Sequence, residues 1–515
     1  MALIDNDLLS IQEARILLEH ADESVKVLES LPAPIIDDFL AHLREALLPK
    51  AAQYARLAYE ESDYCDPSDE AQLSTWVLTD LLDDVLHEVP VQKIVYGPHG
   101  SSEVRLPKGV VVSLLPDWLS VPTMLSQLVS AVRSKSPIVF SADARVHETC
   151  GIVLDDVVQV AEFCHYPLDA IGYLGTCCTE GEQWVCDQSC VKVVIDSREN
   201  FSEHRHRAEG KDVYYASLGN NPVFVESTAD LAACADEIVA GKSFCYGMLP
   251  GSEQSVVVEA AIDARMQEEL RRRSCYFLSD EEADRLVEAL FMRDGRPYRE
   301  LIGKSAFDLA RRVDISVPET TKVLVVEKPY VSERSFFSKA KYGPVLSYYV
   351  EDNWRDACEK CIELILNSGH GNALSIFSKD PEVVRQFILK KPVGRVLVNV
   401  GTGLGSIGCH SDLPKTLTIT GWDCATTSEL GVTYADFVRR RQVGIGPHDE
   451  ARSLLGRAAG CDHTPVATKI RSPNPADLSA KAGAATAPAS DDVAQEPVDW
   501  FSRVLEAMRD NQEKE

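Results

Sequence analysis

The chain has 515 residues, enough for about two to three domains at roughly 150 residues each. Hydrophobic residues make up 45% and charged residues 26%, the balance of a globular protein with sizeable cores. Its formal net charge of −28 repels phosphate backbones, which argues against a nucleic-acid partner and favours solubility or docking on basic surfaces.

The opening stretch MALIDNDLLSIQEARILLEH is acidic from the start. It has no basic region followed by an apolar run, so no secretory leader is expected. No stretch approaches about 18 uninterrupted apolar residues, so no membrane span is expected. The 15 cysteines are an odd number scattered along the chain, the usage of a reducing cytoplasm rather than of a disulfide framework.

The first ninety residues read as helices, with Leu9, Ala14, Leu17, Leu18, Ala21 and Val25 on one face at helical spacing. Then the pattern changes. GVVVSLLP (109–116) and SPIVFSA (136–142) are short apolar runs bounded by Gly, Pro and Ser, which read as buried parallel strands. VPTMLSQLVSAVRSK between them reads as a helix, and the alternation continues through DAIGYLG and VKVVIDS. This is a doubly wound α/β half. From residue 241 a second α/β unit follows, with strands SVVVEA, KVLVVEK, VLSYYV, ALSIFSK and RVLVNVG.

The expected division is a cofactor-type domain with a helical N-terminal segment over 1–240, a catalytic-type α/β domain over 241–440 and a return segment over 441–456. An Ala-, Pro-, Ser- and Thr-rich flexible linker over 457–496 comes next, then a tail helix over 497–515. Val498, Phe501, Val504, Leu505 and Met508 give that tail one apolar stripe, with nothing adjacent in sequence to bury it.

Several collinear segments resemble the CoA-acylating aldehyde dehydrogenases, especially those of bacterial microcompartments. They are SFCYGMLPGSEQSVVV, GNNPVFVESTADL, ISVPETTKVLVVEK, KYGPVLSYYVEDNWRDACE and GRVLVNVGTGLGSIG, and the resemblance runs from near the start to about residue 440. It implies a Rossmann-like cofactor domain beside an α/β catalytic domain. It also implies a reaction in which an aldehyde, CoA and NAD give acyl-CoA and NADH. A thiolate attacks the aldehyde, hydride leaves to the nicotinamide, and the thioester passes to CoA. NAD and CoA are therefore the implied cofactors, with no metal. Ser141, Gly219 and Asn220 stand at the family's cofactor-binding positions.

The residues that carry the family's chemistry are replaced. Its nucleophilic cysteine stands three residues before the Glu of SEQ, where this chain has Pro250. Proline offers neither a nucleophile nor a backbone N–H for the oxyanion. The family's oxyanion asparagine aligns with Leu119, which cannot donate. A family glycine pair near the nicotinamide reads Asp196, Ser197 and Arg198, and Trp422 stands at a later glycine. Two readings follow. One is a catalytically impaired relative with a structural or assembly role inside a microcompartment. The other is a working enzyme with a displaced nucleophile, Cys245, five residues before Pro250. An extended loop of that length spans up to roughly 17 Å, so Cys245 needs a refolded loop to act; otherwise it is a small buried thiol.

Other motifs have a plainer alternative. Cys177, Cys178, Cys186 and Cys190 could hold zinc or an iron–sulfur cluster, but lack paired C-x2-C spacing and also read as packed thiols. CEKC (358–361) lies mid-helix and reads as core. GTGLGSIG (401–408) has glycine spacing that departs from the dinucleotide fingerprint, and the resemblance places it in a post-strand loop. His370 reads as a loop residue, the family's histidine aligning with Asn372. The linker and tail resemble an encapsulation peptide, or else a frayed or self-docked helix. Through residues 497–515 the expected partners are a microcompartment shell or co-encapsulated enzymes. A cytoplasmic, homo- or hetero-oligomeric protein is expected.

Overall fold

A computed structural model describes residues 6–96, 102–198, 210–292, 297–367, 371–422, 426–444 and 454. The chain divides into two units, Met1–Ile445 and Gly446–Glu515. In the second only Leu454 is described, an exposed helical residue. The expected linker and tail helix, and His370, lie outside the described residues.

The helical N-terminal segment is as expected: Asn6–Ser30, Ala33–Leu47, Ala51–Ser62, Pro67–Trp76 and Leu82–His87. Asp66 opens the fourth of these, its side chain accepting from the Ser68 N–H, the usual way a helix satisfies an orphan donor. Two strands missed in the sequence follow, β1 (Ile94–Tyr96) and β2 (Ser102–Pro107).

The expected Rossmann-like strands come next, β3 (Val110–Leu114), β4 (Ile138–Ser141), β5 (Ile171–Tyr173) and β6 (Val191–Asp196), followed by β7 (Asp212–Tyr215), which was not read as a strand from the sequence. They form a five-stranded sheet ordered β5-β4-β3-β6-β7, with every pair parallel. The continuous apolar runs are explained by burial on both faces. Val111 joins one core cluster with helix Ser120–Arg133, while Val110, Val112 and Leu114 join another with Ala14 and Leu18.

The second sheet takes β8 (Asn221–Val225), β9 (Glu253–Glu259), β10 (Cys275–Phe277), β11 (Val323–Glu327), β12 (Val345–Glu351), β13 (Ala373–Phe377) and β14 (Arg395–Val398). Its order is β10-β11-β12-β9-β8-β13-β14, again parallel throughout. The chain therefore changes sheets between Tyr215 and Asn221, upstream of the expected boundary at 240. The pairing of β8 with both β9 and β13 decides this, a long-range contact that local pattern does not carry. Lastly, β15 (Val438–Val443) returns to pair antiparallel with β2, completing a three-stranded sheet β1-β2-β15.

Among the described residues no helix is long and apolar enough to cross a membrane.

Candidate active site at the junction of the two sheets

In a five-stranded parallel sheet of this order the strand succession reverses between β3 and β6, and ligands bind in the crevice outside the carboxyl ends of those strands. Pro116–Leu119 follow β3, and Ser197 and Arg198 follow β6. The connection from β7 to β8 passes the same place. So does the loop entering β9, because β8 and β9 pair from Asn221 and Glu253 onward and the Gly251 N–H donates to the Leu218 carbonyl at 3.2 Å.

A cavity of about 30 Å³ lies there, walled among others by Leu119, Ser197, Ser217, Met248 and Pro250. Each water needs roughly 10–15 Å³, so the space holds a few waters at most. The fold thus brings together Leu119, Pro250 and Ser197, three positions the sequence singled out as substituted.

Each has a local structural reason. Leu119 sits at the N-terminal boundary of helix Ser120–Arg133 with φ 53° and ψ 31°. A left-handed backbone suits asparagine far better than leucine. The left-handed turn is therefore present without the amide side chain that suits it, and the leucine is almost fully buried. Pro250 is the second residue of a tight turn, Leu249-Pro250-Gly251-Ser252, in which the Ser252 N–H donates to the Leu249 carbonyl at 2.9 Å. Gly251 at the third position has φ +85°. Proline second and a positive-φ glycine third is the chemistry of a type II turn. Ser197 is held by Gln127, whose Nε2 donates to it at 3.2 Å and to Thr418 at 3.0 Å.

Cys245 is not among the residues walling this cavity. It is fully buried, and its own N–H donates to Asp69 Oδ2 at 2.8 Å. Cys245 and Tyr246 both have positive φ, so the loop is indeed sharply folded, but toward the N-terminal helices. Burial first, then the neighbouring Cys65 thiol and the Asp69 and Glu70 carboxyls, pushes the Cys245 thiol well above its usual range. A thiolate nucleophile needs the opposite surroundings.

The three expected cofactor positions are engaged internally. Ser141 donates to Glu182 Oε1 at 2.7 Å. Gly219 has φ +75°, and a Cβ there would come within 2.6 Å of Asn372 Cγ. Asn220 Nδ2 donates to the Ser338 carbonyl at 2.9 Å and also to the Leu364 carbonyl. Asn372, at the family's histidine position, donates to the Ser217 carbonyl at 2.6 Å and so braces a wall of the cavity.

Among the described residues, those at the cofactor-side mouth offer no free donor cradle for a dinucleotide's pyrophosphate. Arg198 Nη1 pairs with Glu182 Oε2 at 2.7 Å and its Nε with Asp196 Oδ1 at 3.3 Å. Glu182 and Asp196 are both buried. Arg198 thus spends its donors on the chain's own carboxylates, whereas a phosphate ligand needs free donors. The sequence showed Asp196 and Arg198, but Glu182 was not visible as their partner because the contact spans two separate βα connections.

The remaining motifs resolve as structure. The Gly401 and Gly403 N–H groups donate to Glu237 Oε2 at 3.1 Å and Glu253 Oε1 at 3.0 Å, so GTGLGSIG spends its amides on the chain's own carboxylates. Burial raises Glu253 to about 7. Cys358 and Cys361 are buried in helix Trp354–Asn367. Cys177 approaches His147 Nδ1 at 3.0 Å, Cys178 donates to Asp7 and Glu180 and Cys186 is buried in a core cluster, so these thiols face different surroundings. Trp422 is 40% exposed, and its N–H donates to the Gly371 carbonyl at 3.0 Å.

No family model matches the chain. The aldehyde-alcohol dehydrogenase of Clostridium acetobutylicum is 26% identical over 60% of this chain and 36% of its own length. The chain spans about a third of the length of that first curated relative. The crystal structure of an acetylating aldehyde dehydrogenase from Geobacillus thermoglucosidasius superposes with a TM-score of 0.81 at 25% identity, over 87% of this chain and 99% of that one. The propionaldehyde dehydrogenase from the Clostridium phytofermentans fucose utilisation bacterial microcompartment gives a TM-score of 0.74 at 18% identity, over 84% and 97%. Structures of this fold have been solved with CoA and with NADP+ bound.

The paired parallel sheets with a site at their junction are those of an aldehyde dehydrogenase. Within that class, the chain is similar in sequence and in fold to the acylating aldehyde dehydrogenases.

Proposed function

We propose that this chain is a catalytically impaired member of the acylating family with a structural or assembly role in a bacterial microcompartment. The observation that carries the reading is the pairing of Leu119 with Pro250 on one small cavity. The family's reaction needs a sulfur to form the thiohemiacetal and donors to hold its oxyanion. Leucine and proline supply neither, and proline also removes a backbone N–H. The microcompartment setting is supported by the Clostridium phytofermentans neighbour and by the apolar stripe of residues 497–515 in the sequence. That tail would engage a shell or co-encapsulated enzymes, with the body of the protein joining homo- or hetero-oligomers, including oligomers with an active paralogue.

The test is a turnover assay on the purified full chain with short aldehydes, CoA and NAD. No NADH and no acyl-CoA is the expected result. Acyl-CoA formed in a cofactor-dependent way would end the impaired reading. Deleting 497–515 should abolish co-purification with shells, and unchanged co-purification removes the targeting role.

A further inference from the structure

A second constellation of reactive side chains lies away from the crevice. Asp38 and His42 stand four residues apart on helix Ala33–Leu47, the spacing that puts two side chains on one helix face. Cys164 follows the last residue of helix His147–Phe163. That helix leaves the carboxyl end of β4 and returns to the start of β5, so Cys164 lies toward the amino ends of the strands, opposite the crevice. One ligand atom from each residue (a carboxylate oxygen, a ring nitrogen and the sulfur) lies within 4.8 Å of the other two.

We propose that Asp38, His42 and Cys164 form a binding site for a divalent cation of the zinc class, which ties these two helices together. Thiolate, imidazole and carboxylate are zinc's usual donors, and a sulfur among them selects against magnesium and calcium. Tetrahedral zinc holds its ligand atoms roughly 3.4–3.6 Å apart. His42 Nδ1 and Asp38 Oδ1 are already 3.3 Å apart. Nδ1 also lies 2.9 Å from the Asp38 carbonyl, and the tautomer with its proton on Nε2 leaves Nδ1 free to bind a cation. Coordination by Cys164 takes the thiol proton, which passes to solvent.

The scaffold beneath the three ligands is packed. Phe39, Leu40, Val157, Ala161 and Cys164 share one core cluster. The rings of Phe39 and Tyr166, close in sequence to Asp38 and Cys164, stack with centroids 4.6 Å apart. The Phe163 ring lies 5.3 Å from the His42 imidazole. Closing the ligand triangle therefore asks for side-chain rotation rather than movement of either helix. Cys164 is buried while Asp38 is exposed, so the fourth position faces solvent and takes a water. The site is independent of the impaired reading, because none of its residues reaches the crevice.

The test uses cobalt(II) and zinc chloride as probes on the full chain after treatment with a chelator. The natural protein should show a saturable sulfur-to-cobalt charge-transfer band that zinc abolishes. Cys164→Ser should remove the band, and His42→Ala should weaken zinc binding at least about tenfold. Zinc should raise the unfolding temperature of the natural protein by mass action and leave that of Cys164→Ser unmoved. Because Cys164 is packed in the core, the exposed substitution Asp38→Asn serves if the serine variant does not fold by circular dichroism, and it should weaken zinc binding by a similar factor. The absence of a saturable band below about 1 mM cobalt(II) overturns the site. So does a band that persists in folded Cys164→Ser, which would place the thiolate elsewhere, as at Cys178 beside Asp7 and Glu180. Equal zinc affinity in the natural protein and the His42 or Asp38 variants overturns it as well.

Discussion

Leu119 and Pro250 line one cavity of about 30 Å³, although 130 residues of chain separate them. One stands in a left-handed turn at a helix start, the other in a proline–glycine turn before β9. Restoring one partner should therefore not restore the reaction. Pro250→Cys places a thiol at the cavity, and alkylation by iodoacetamide at residue 250 should follow. Stability should fall by about 0.5–1 kcal/mol as the unfolded chain regains freedom. Acyl-CoA formation should still be absent, since Leu119 remains unable to donate. Turnover by this single variant would show that the site needs only its sulfur.

Cys245 should be inert in the native protein. Iodoacetamide should modify the exposed thiols Cys177 and Cys409 first, and reach Cys245 only after denaturant opens the core. Its burial among Cys65, Asp69 and Glu70 holds it protonated, and the thiol form is a poor nucleophile. Peptide mapping gives the order. Labelling of Cys245 as fast as Cys177 would restore the displaced-nucleophile alternative.

Much of this architecture was legible in the sequence, for identifiable reasons. β3, β4 and β6 lie in one sheet buried on both faces, so they read as mainly apolar runs such as VVVSL and VKVVID. The helices between them announced themselves by period. β15 did not: VRRRQV has three exposed arginines, and only its pairing with β2 makes it a strand. β8 was not read as a strand, and the boundary at 240 left it ahead of the second unit, because its place depends on which sheet it joins. At the site, substitutions were visible one by one, and their meeting at one cavity followed from the alignment with the family. The Glu182–Arg198 pair was hidden, because nothing local marks two charges on different connections as partners.

Gly251 is the position where the proline turn depends on having no side chain. Its φ is +85°, and an added Cβ would lie 2.7 Å from Ser406 Cβ. Gly251→Ala should destabilise by about 2 kcal/mol or more, combining the left-handed penalty of roughly 1–2 kcal/mol with the clash against helix Thr402–Ser406. Urea unfolding of the variant measures it. A change under about 0.5 kcal/mol would mean that the turn is not held as described.

Glu70 gives the pH dependence. It is buried in helix Pro67–Trp76 with no hydrogen-bond partner for Oε1 among the described residues, and burial raises its carboxyl to about 8. The unfolded chain releases that proton near the ordinary carboxylate value, about 4.3. Between these values the native state holds one proton more than the unfolded state, so stability falls as pH rises across the window, by up to about 1.4 kcal/mol per pH unit from this group. Glu70→Gln keeps the shape and removes the titration. The variant should therefore be more stable than the natural protein at pH 8, and the two should converge toward pH 5. Thermal unfolding at several pH values reads the difference directly. A gap between variant and natural protein that stays constant from pH 5 to pH 8 would show that Glu70 is already ionised in the folded chain.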